Sequence, residues 1–366
     1  MTDQTAISEM AEETFESPAV HVPLSHPRLP RWAPYLTAAG SAVAAYGVRT
    51  ALGAGVVVLV VAAVLIYCLA ITVLSRVVEN RRAARDRLMT TLVWAAFGVA
   101  LTPLVALVWQ VLANGLPLIS WSFLTTTMRN VIGEGGGIWH AIVGTLMITL
   151  GATVISVPVG LLASIYLVEY SDTRDRPARV LTFLVDVMTG IPSIVAGLFA
   201  YALFQLMFGP GVRMGIGGSI ALSLLMVPVV VRSCEEMLKL VPHELREAAY
   251  ALGVPKWLTI LKVVLPTALG GIITGITLAV ARVAGETAPL LIIAGKTDSV
   301  NWNLFSDQPM ATLPVFTYYS YTQPGVPPEF GQARAWGAAL VLIAIVMLLN
   351  LLARVVGARF APKKGR

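Results

Sequence analysis

Unbroken apolar runs constrain this chain more than any other feature. Stretches 54–75, 88–113, 138–168, 180–208, 217–234, 265–294 and 334–356 each hold 18 or more residues with at most two charges. About 20 apolar residues cross roughly 30 Å of hydrocarbon as a helix. A soluble domain carries about 25% charged residues, whereas this 366-residue chain carries 13% and is 57% hydrophobic. Its mean hydropathy is +0.77. A disulfide scaffold, a disordered chain and an ordinary cytosolic enzyme are all excluded, and the bilayer is the expected solvent. The run 34–48 is shorter, rich in alanine and marginal. With Gly47, Arg49 and Gly53 as a turn it pairs with 54–75 as a hairpin. The expected count is eight spans, with seven as the alternative.

Basic residues orient the spans. If the loops after 75, at 169–179 and at 235–262 share one side with the C-terminus, that side holds 17 cations. The other side holds Arg49, Arg129, Arg213, Lys296 and Arg334. The main block therefore has both ends in the cytosol. The net charge of +6 is mostly this asymmetry and needs no nucleic acid. Residues 1–31 open on acids, lack a basic n-region and contain four prolines, so they read as a flexible cytosolic tail rather than a cleaved signal. The expected organisation is that tail, an extra hairpin and basic loop over 32–87, a transmembrane domain over 88–360 and a short tail over 361–366.

Other chemistry is sparse. Cys68 and Cys234 stand apart, without metal spacing, and His21, His26, His140 and His243 are scattered. Gly295-Lys296-Thr297 resembles the end of a phosphate-binding loop, but the pattern needs glycine where Leu290 stands. No nucleotide site is expected in this chain. Pro158, Pro192 and Pro228 fall in mid-span, where freed carbonyls are tolerated only under protein or beside a cavity. Gly190-Ile191-Pro192-Ser193-Ile194 is the segment most suited to a bent wall. Segment 295–333 carries seven aromatic residues, which fit either an interfacial belt or the docking of an external protein.

The most informative segment is 235–266. Pro242 suits a helix start, Glu244 and Glu247 complement the N-terminal dipole, and Gly253 followed by Pro255 stops the helix. A short cytoplasmic helix over about 243–252 is expected. Ala248, Ala249 and Ala251 keep it slim enough for a groove in another protein. Glu247-Ala248-Ala249, three residues, Gly253, nine residues, then Val263-Val264-Leu265-Pro266 is similar to the EAA loop of ABC importer permeases, with Val263 in place of isoleucine.

Further stretches narrow the resemblance. Glu134-Gly135-Gly136-Gly137, Ile191-Pro192-Ser193-Ile194-Val195, Leu245-Arg246-Glu247-Ala248-Ala249 and Ala281-Arg282-Val283-Ala284-Gly285-Glu286-Thr287-Ala288-Pro289 resemble the phosphate permease (PstA) family over about 88–360. The first 87 residues depart from it. The resemblance implies an all-α polytopic membrane protein of the type I ABC importer permease fold, with six core spans plus the extra hairpin. It implies half of a phosphate path in a bacterial plasma membrane, a PstC-like second permease, a PstB-like ATPase dimer and a PstS-like external phosphate-binding protein. ATP and Mg would belong to the ATPase, with no cofactor in this chain. Coupling would run through Glu247, Ala248, Ala249, Gly253, Leu265 and Pro266. Rivals are a permease for molybdate, sulfate or phosphonate, an ion-coupled carrier with inverted repeats, and a receptor that transports nothing.

Charges within the spans point to the substrate. Arg282 lies roughly 25 Å along its span at 1.5 Å per residue, where a charge costs about 2.5–3.5 kcal/mol on insertion scales. On a continuous helix, Glu286 falls at i+4 on the same face. A guanidinium fork matches phosphate oxygens, and a neighbouring glutamate would keep the arginine from being unpaired. The alternative is a structural salt bridge between spans. Arg232 either snorkels to the interface or belongs to the path. Thr287 either adds a hydroxyl to the site or bonds back to its own helix.

Overall fold

The structure, a computed structural model, describes residues 29–53, 55–172 and 175–360. Nearly all of the two expected tails lies outside this range. The described chain is helical, with no strand among the described residues. Its helices are α1 (Ala33–Leu52), α2 (Val56–Val78), α3 (Arg81–Gly115), α4 (Trp139–Ile165), α5 (Arg176–Gly190), α6 (Ser193–Phe208), α7 (Gly215–Lys239), α8 (His243–Ala251), α9 (Leu265–Ala284), α10 (Ala288–Ile293), α11 (Leu313–Thr322) and α12 (Pro328–Phe360). Among the described residues, six helical segments are long and apolar enough to cross a membrane. They become seven if α5 and α6, bent by 107° at their junction, form one span.

Eight spans were expected, and two segments account for the difference. Run 34–48 does form α1, which packs on α2 as a hairpin. Gly53 closes the turn at φ +60 and donates its N–H to the Arg49 carbonyl. Thr37, Ser41, Gly40, Gly47 and Arg49 dilute α1 below the hydropathy of a span. Run 180–208 is two helices. Ile191 and Pro192 are extended, because a residue before proline is pushed out of the α region and proline brings no N–H. By contrast, α4 and α7 run through Pro158 and Pro228 as continuous helices.

The chain divides into two compact units, 1–106 and 107–366. In the first, Glu79 sits between α2 and α3. Its carboxylate accepts from Arg87 Nε at 2.9 Å, Arg87 Nη2 at 2.8 Å, Ser75 Oγ at 2.6 Å and the Leu29 backbone N–H at 2.8 Å. The Arg87 guanidinium is the main reason this carboxyl is held down at about 2.

In the second unit the core forms where small residues let backbones approach. A side chain at Gly160 would meet Val230, and one at Gly151 would meet Ser219, so α4 and α7 lie close together. Ser219 Oγ donates across this seam to the Ile148 carbonyl at 3.0 Å. On the other flank of α7, Gly271 faces Met237 and Gly275 faces Ser233, bringing in α9. Ile148, Leu222, Met226, Val230, Ile272, Val283 and Val315 fill the centre.

Candidate functional site: the coupling loop and the charges of the spans

Helix α8 covers His243–Ala251, within one residue of the expected range. Gly253 takes φ +78, a left-handed conformation that favours glycine, and donates its N–H to the Tyr250 carbonyl at 2.9 Å. Glu244, Leu245, Glu247, Ala248, Tyr250 and Leu252 are exposed, while Ala249 and Arg246 are buried. The helix thus shows one face outward and inserts the other. Leu265 is half-buried and Pro266 exposed at the start of α9.

What the buried face holds was not legible in the sequence. Arg246 is 8% exposed and spends all five of its N–H donors. Nε and Nη2 donate to Glu169 Oε1 at 3.1 and 2.8 Å. Nη1 donates to the Val241 and Pro242 carbonyls at 2.6 and 3.4 Å, and Nη2 to the Leu238 carbonyl at 3.0 Å. The carbonyls of Leu238 and Val241 belong to the end of α7 and its exit, where a helix leaves acceptors unpaired. One side chain therefore caps α7 and ties α8 to Glu169, in the π-type turn Tyr166–Tyr170 that ends α4. Nearby, the Lys256 ammonium lies over the Tyr170 ring, 5.2 Å from its centroid. In the sequence Arg246 counted as a topological cation and as part of a family-like stretch, with no partner or structural role assigned to it. Nothing in a separation of 77 residues announces its partner.

The intramembrane charges need a correction. Arg282 and Glu286 do not form an i, i+4 pair on a continuous helix. Helix α9 ends at Ala284, residues 285–287 form a break, and α10 begins at Ala288. Pro289 causes this, since it lacks the N–H that the Gly285 carbonyl would need and its ring would clash there. The break also has a packing role, because Gly197 of α6 sits against Pro289, where a Cβ would come within 2.5 Å of the proline Cα. Glu286 and Thr287 are half-buried in the break. Arg282 is exposed in the last turn of α9, where the helix dipole favours a cation, and no carboxylate among the described residues pairs with it.

Arg232 is the opposite case. Its Nη2 pairs with Asp186 of α5 and its Nη1 with Glu235 Oε2 at 2.9 Å. Glu235 Oε1 also takes Lys239 Nζ at 2.6 Å. The cluster is balanced, two cations against two anions, and the Asp186 contact crosses from α7 to α5.

Comparison with known proteins agrees with this architecture. Residues 156–366 match the family described as "Binding-protein-dependent transport system inner membrane component". The chain is 46% identical over 297 residues to the phosphate transport system permease protein PstA 1 of Mycobacterium tuberculosis (strain CDC 1551 / Oshkosh), covering 80% of this chain and 95% of that protein. It is 40% identical to the PstA of Yersinia pestis, with 77% and 92% covered. Among solved structures, the inward-facing MetNI methionine ABC transporter aligns with TM-score 0.50 at 18% identity, over 67% of this chain and all of that one, which bears on the fold alone. An all-helical block with a short helix between its spans, matched over more than half its length, belongs to the inner-membrane permease components of binding-protein-dependent ABC importers, in their PstA branch.

Proposed function

We propose that this chain is the permease subunit of an ATP-driven importer of inorganic phosphate and forms half of its translocation path in a bacterial plasma membrane. The observation that carries the reading is 46% identity over 80% of the chain to a phosphate permease. The coupling loop supports it independently. Its exposed Glu247, Ala248 and Leu252 form a slim face for an ATPase groove, and Arg246 links that face rigidly to α7 and α4. The partners are a PstC-like second permease, a PstB-like ATPase dimer that binds ATP and Mg, and a PstS-like external binding protein. This chain itself catalyses nothing. Permeases for other oxyanions are the less favoured reading.

Arg282 is the proposed substrate-facing cation. An exposed guanidinium with no carboxylate on it offers its fork to phosphate oxygens. Glu286 and Thr287, held in the three-residue break that directly follows α9, limit how tightly the anion is retained. Arg232 contributes a second station. An anion reaching it must displace Asp186, which couples passage to the α5–α7 contact. The test is uptake by the complete transporter in proteoliposomes. Arg282→Gln and Glu286→Gln should each stop phosphate uptake while the complex assembles, and full uptake by either removes that residue from the path. Gly253→Asp should uncouple ATP hydrolysis from transport. ATPase stimulation that survives it intact would remove the docking role of α8.

A further inference from the structure

Arg334 is a buried cation that none of the chemistry above uses. It lies in the second turn of α12, at the end opposite the basic C-terminal tail, and is 8% exposed. Its Nη1 donates to the Gly133 and Gly135 carbonyls at 2.8 and 3.0 Å. Gly133, Gly135 and Gly136 all take left-handed φ, near +80, which turns the loop toward the arginine. This explains the glycine run at 133–137, but only in part. No carboxylate among the described residues pairs with Arg334, and its Nε and Nη2, the bidentate edge of the guanidinium, have no acceptor. Those nitrogens are not sealed in the protein either. The fully enclosed, unpartnered side-chain atoms among the described residues belong to His140, Thr312 and Thr317. The free edge therefore opens onto space.

Besides a cavity that it shares with Glu134, Arg334 borders a cavity of about 260 Å³ whose polar lining adds Lys296, Asp298, Ser320 and Gln323, with Met128, Val131, Ile132 and Val326 among its apolar residues. It is roughly eight waters in volume at about 30 Å³ each, enough for a hydrated tetrahedral anion. Lys296 belongs to the Gly-Lys-Thr triplet dismissed above as a nucleotide loop. Its ammonium rests over the Tyr319 ring, 5.5 Å from the centroid, and has no ion-pair partner among the described residues. Leaving a charge buried and unpaired is expensive, so a guanidinium kept this way beside a polar cavity calls for an anion that comes and goes. Asp298 on the same wall narrows the class. A carboxylate tolerates an anion that brings its own proton, as phosphate does near neutral pH and sulfate does not.

We propose that this outer cavity is a reception site for a protonated oxyanion, inorganic phosphate, held by the Nε–Nη2 edge of Arg334 and by Lys296 before the anion moves on toward Arg282. The inference rests on the phosphate-import reading. The complete transporter in proteoliposomes, with its binding protein, tests both separately. Uptake is measured against inorganic phosphate concentration, and thermal unfolding of the complex is followed in parallel. Arg334→Gln and Lys296→Gln should each raise the half-saturating phosphate concentration about tenfold, the order expected for losing a charge-assisted contact, and Lys296→Gln should do so at unchanged thermal stability. Arg334→Lys should fall between wild type and Arg334→Gln. Asp298→Asn should let sulfate compete where it does not in wild type. If Lys296→Gln takes up phosphate as wild type does, or if Arg334→Gln alters only stability and assembly, Arg334 merely pins the glycine loop and the site is overturned. If the wild-type complex imports no phosphate at all, the import reading fails first.

Discussion

Arg246 and Arg282 are the same residue in opposite circumstances. Arg246, on the cytoplasmic helix, is buried, paired with Glu169 and fully hydrogen-bonded. Arg282, inside the spans, is exposed with no carboxylate partner among the described residues. One is immobilised by its own chain, and the other is held by no carboxylate among the described residues. An arginine with every donor satisfied transmits displacement, because moving it breaks several bonds at once. An arginine with its donors free binds. The buried face of α8 is thus stiffly tied to α7 and α4, whereas the end of α9 leaves a cation without a carboxylate; the proposed roles of connector and receptor rest on that contrast.

The largest effect that would break this contrast is at Arg246. Arg246→Ala should destabilise the complex by about 3–5 kcal/mol, because Glu169 is left buried and uncompensated. Arg246→Ala combined with Glu169→Ala should recover part of that loss, as read by thermal unfolding of the assembled transporter. Equal losses in the single and double variants would mean that the pair does not act as a unit. Arg282→Gln should do the reverse. Its unfolding should stay within about 0.5 kcal/mol of wild type, as for an exposed side chain without partners. Its uptake should fall by at least tenfold, the scale of a charge-assisted hydrogen bond.

Gly253→Ala sharpens the stiffness argument at smaller cost. No atom lies within 4 Å of a Cβ built there, so the penalty is conformational only, about 1–2 kcal/mol for a left-handed residue. ATP hydrolysed per phosphate imported should rise, with assembly intact. A pH-dependent effect belongs to the first unit. Glu79 is held at about 2 against an ordinary 4.5, first by its hydrogen bonds from Arg87. A depressed carboxyl stabilises the fold above its unfolded value and loses that contribution as pH falls toward its folded value. The stability difference between wild type and Glu79→Gln should therefore be constant above about pH 5 and shrink progressively below pH 4.5. A difference that does not change with pH would show that Glu79 acts without its charge.

Much of the coupling loop was legible because its signals are local. Pro242, Gly253 and Pro255 bound a helix by backbone rules that need no tertiary information, and α8 falls within one residue of them. The glutamate at 286 shows the limit. Its i+4 spacing from Arg282 has meaning only if the helix continues, and the proline three residues later ends that helix. Pro158 and Pro228 sit in mid-span as well, yet their helices persist, packed by Gly160 against Val230 on one side of the seam. Proline alone does not say whether a helix bends. The neighbours that replace its lost contacts decide.

The sequence by itself determined the solvent, the position of the short helix α8 and the family. Those follow from hydropathy, charge count and short-range backbone chemistry, all of which act over a few residues. Only the tertiary structure decided which charges are paired. Arg246 finds Glu169 across 77 residues, Arg232 finds Asp186 across 46, and Arg334 meets the glycine loop across 199 to 201. Pairing depends on distances of about 3 Å between side chains that no local rule brings together, and on burial, which raises the cost of leaving a charge alone. For that reason Arg282 and Arg334, which have no carboxylate partner among the described residues, emerge as candidate sites only once the helices are packed.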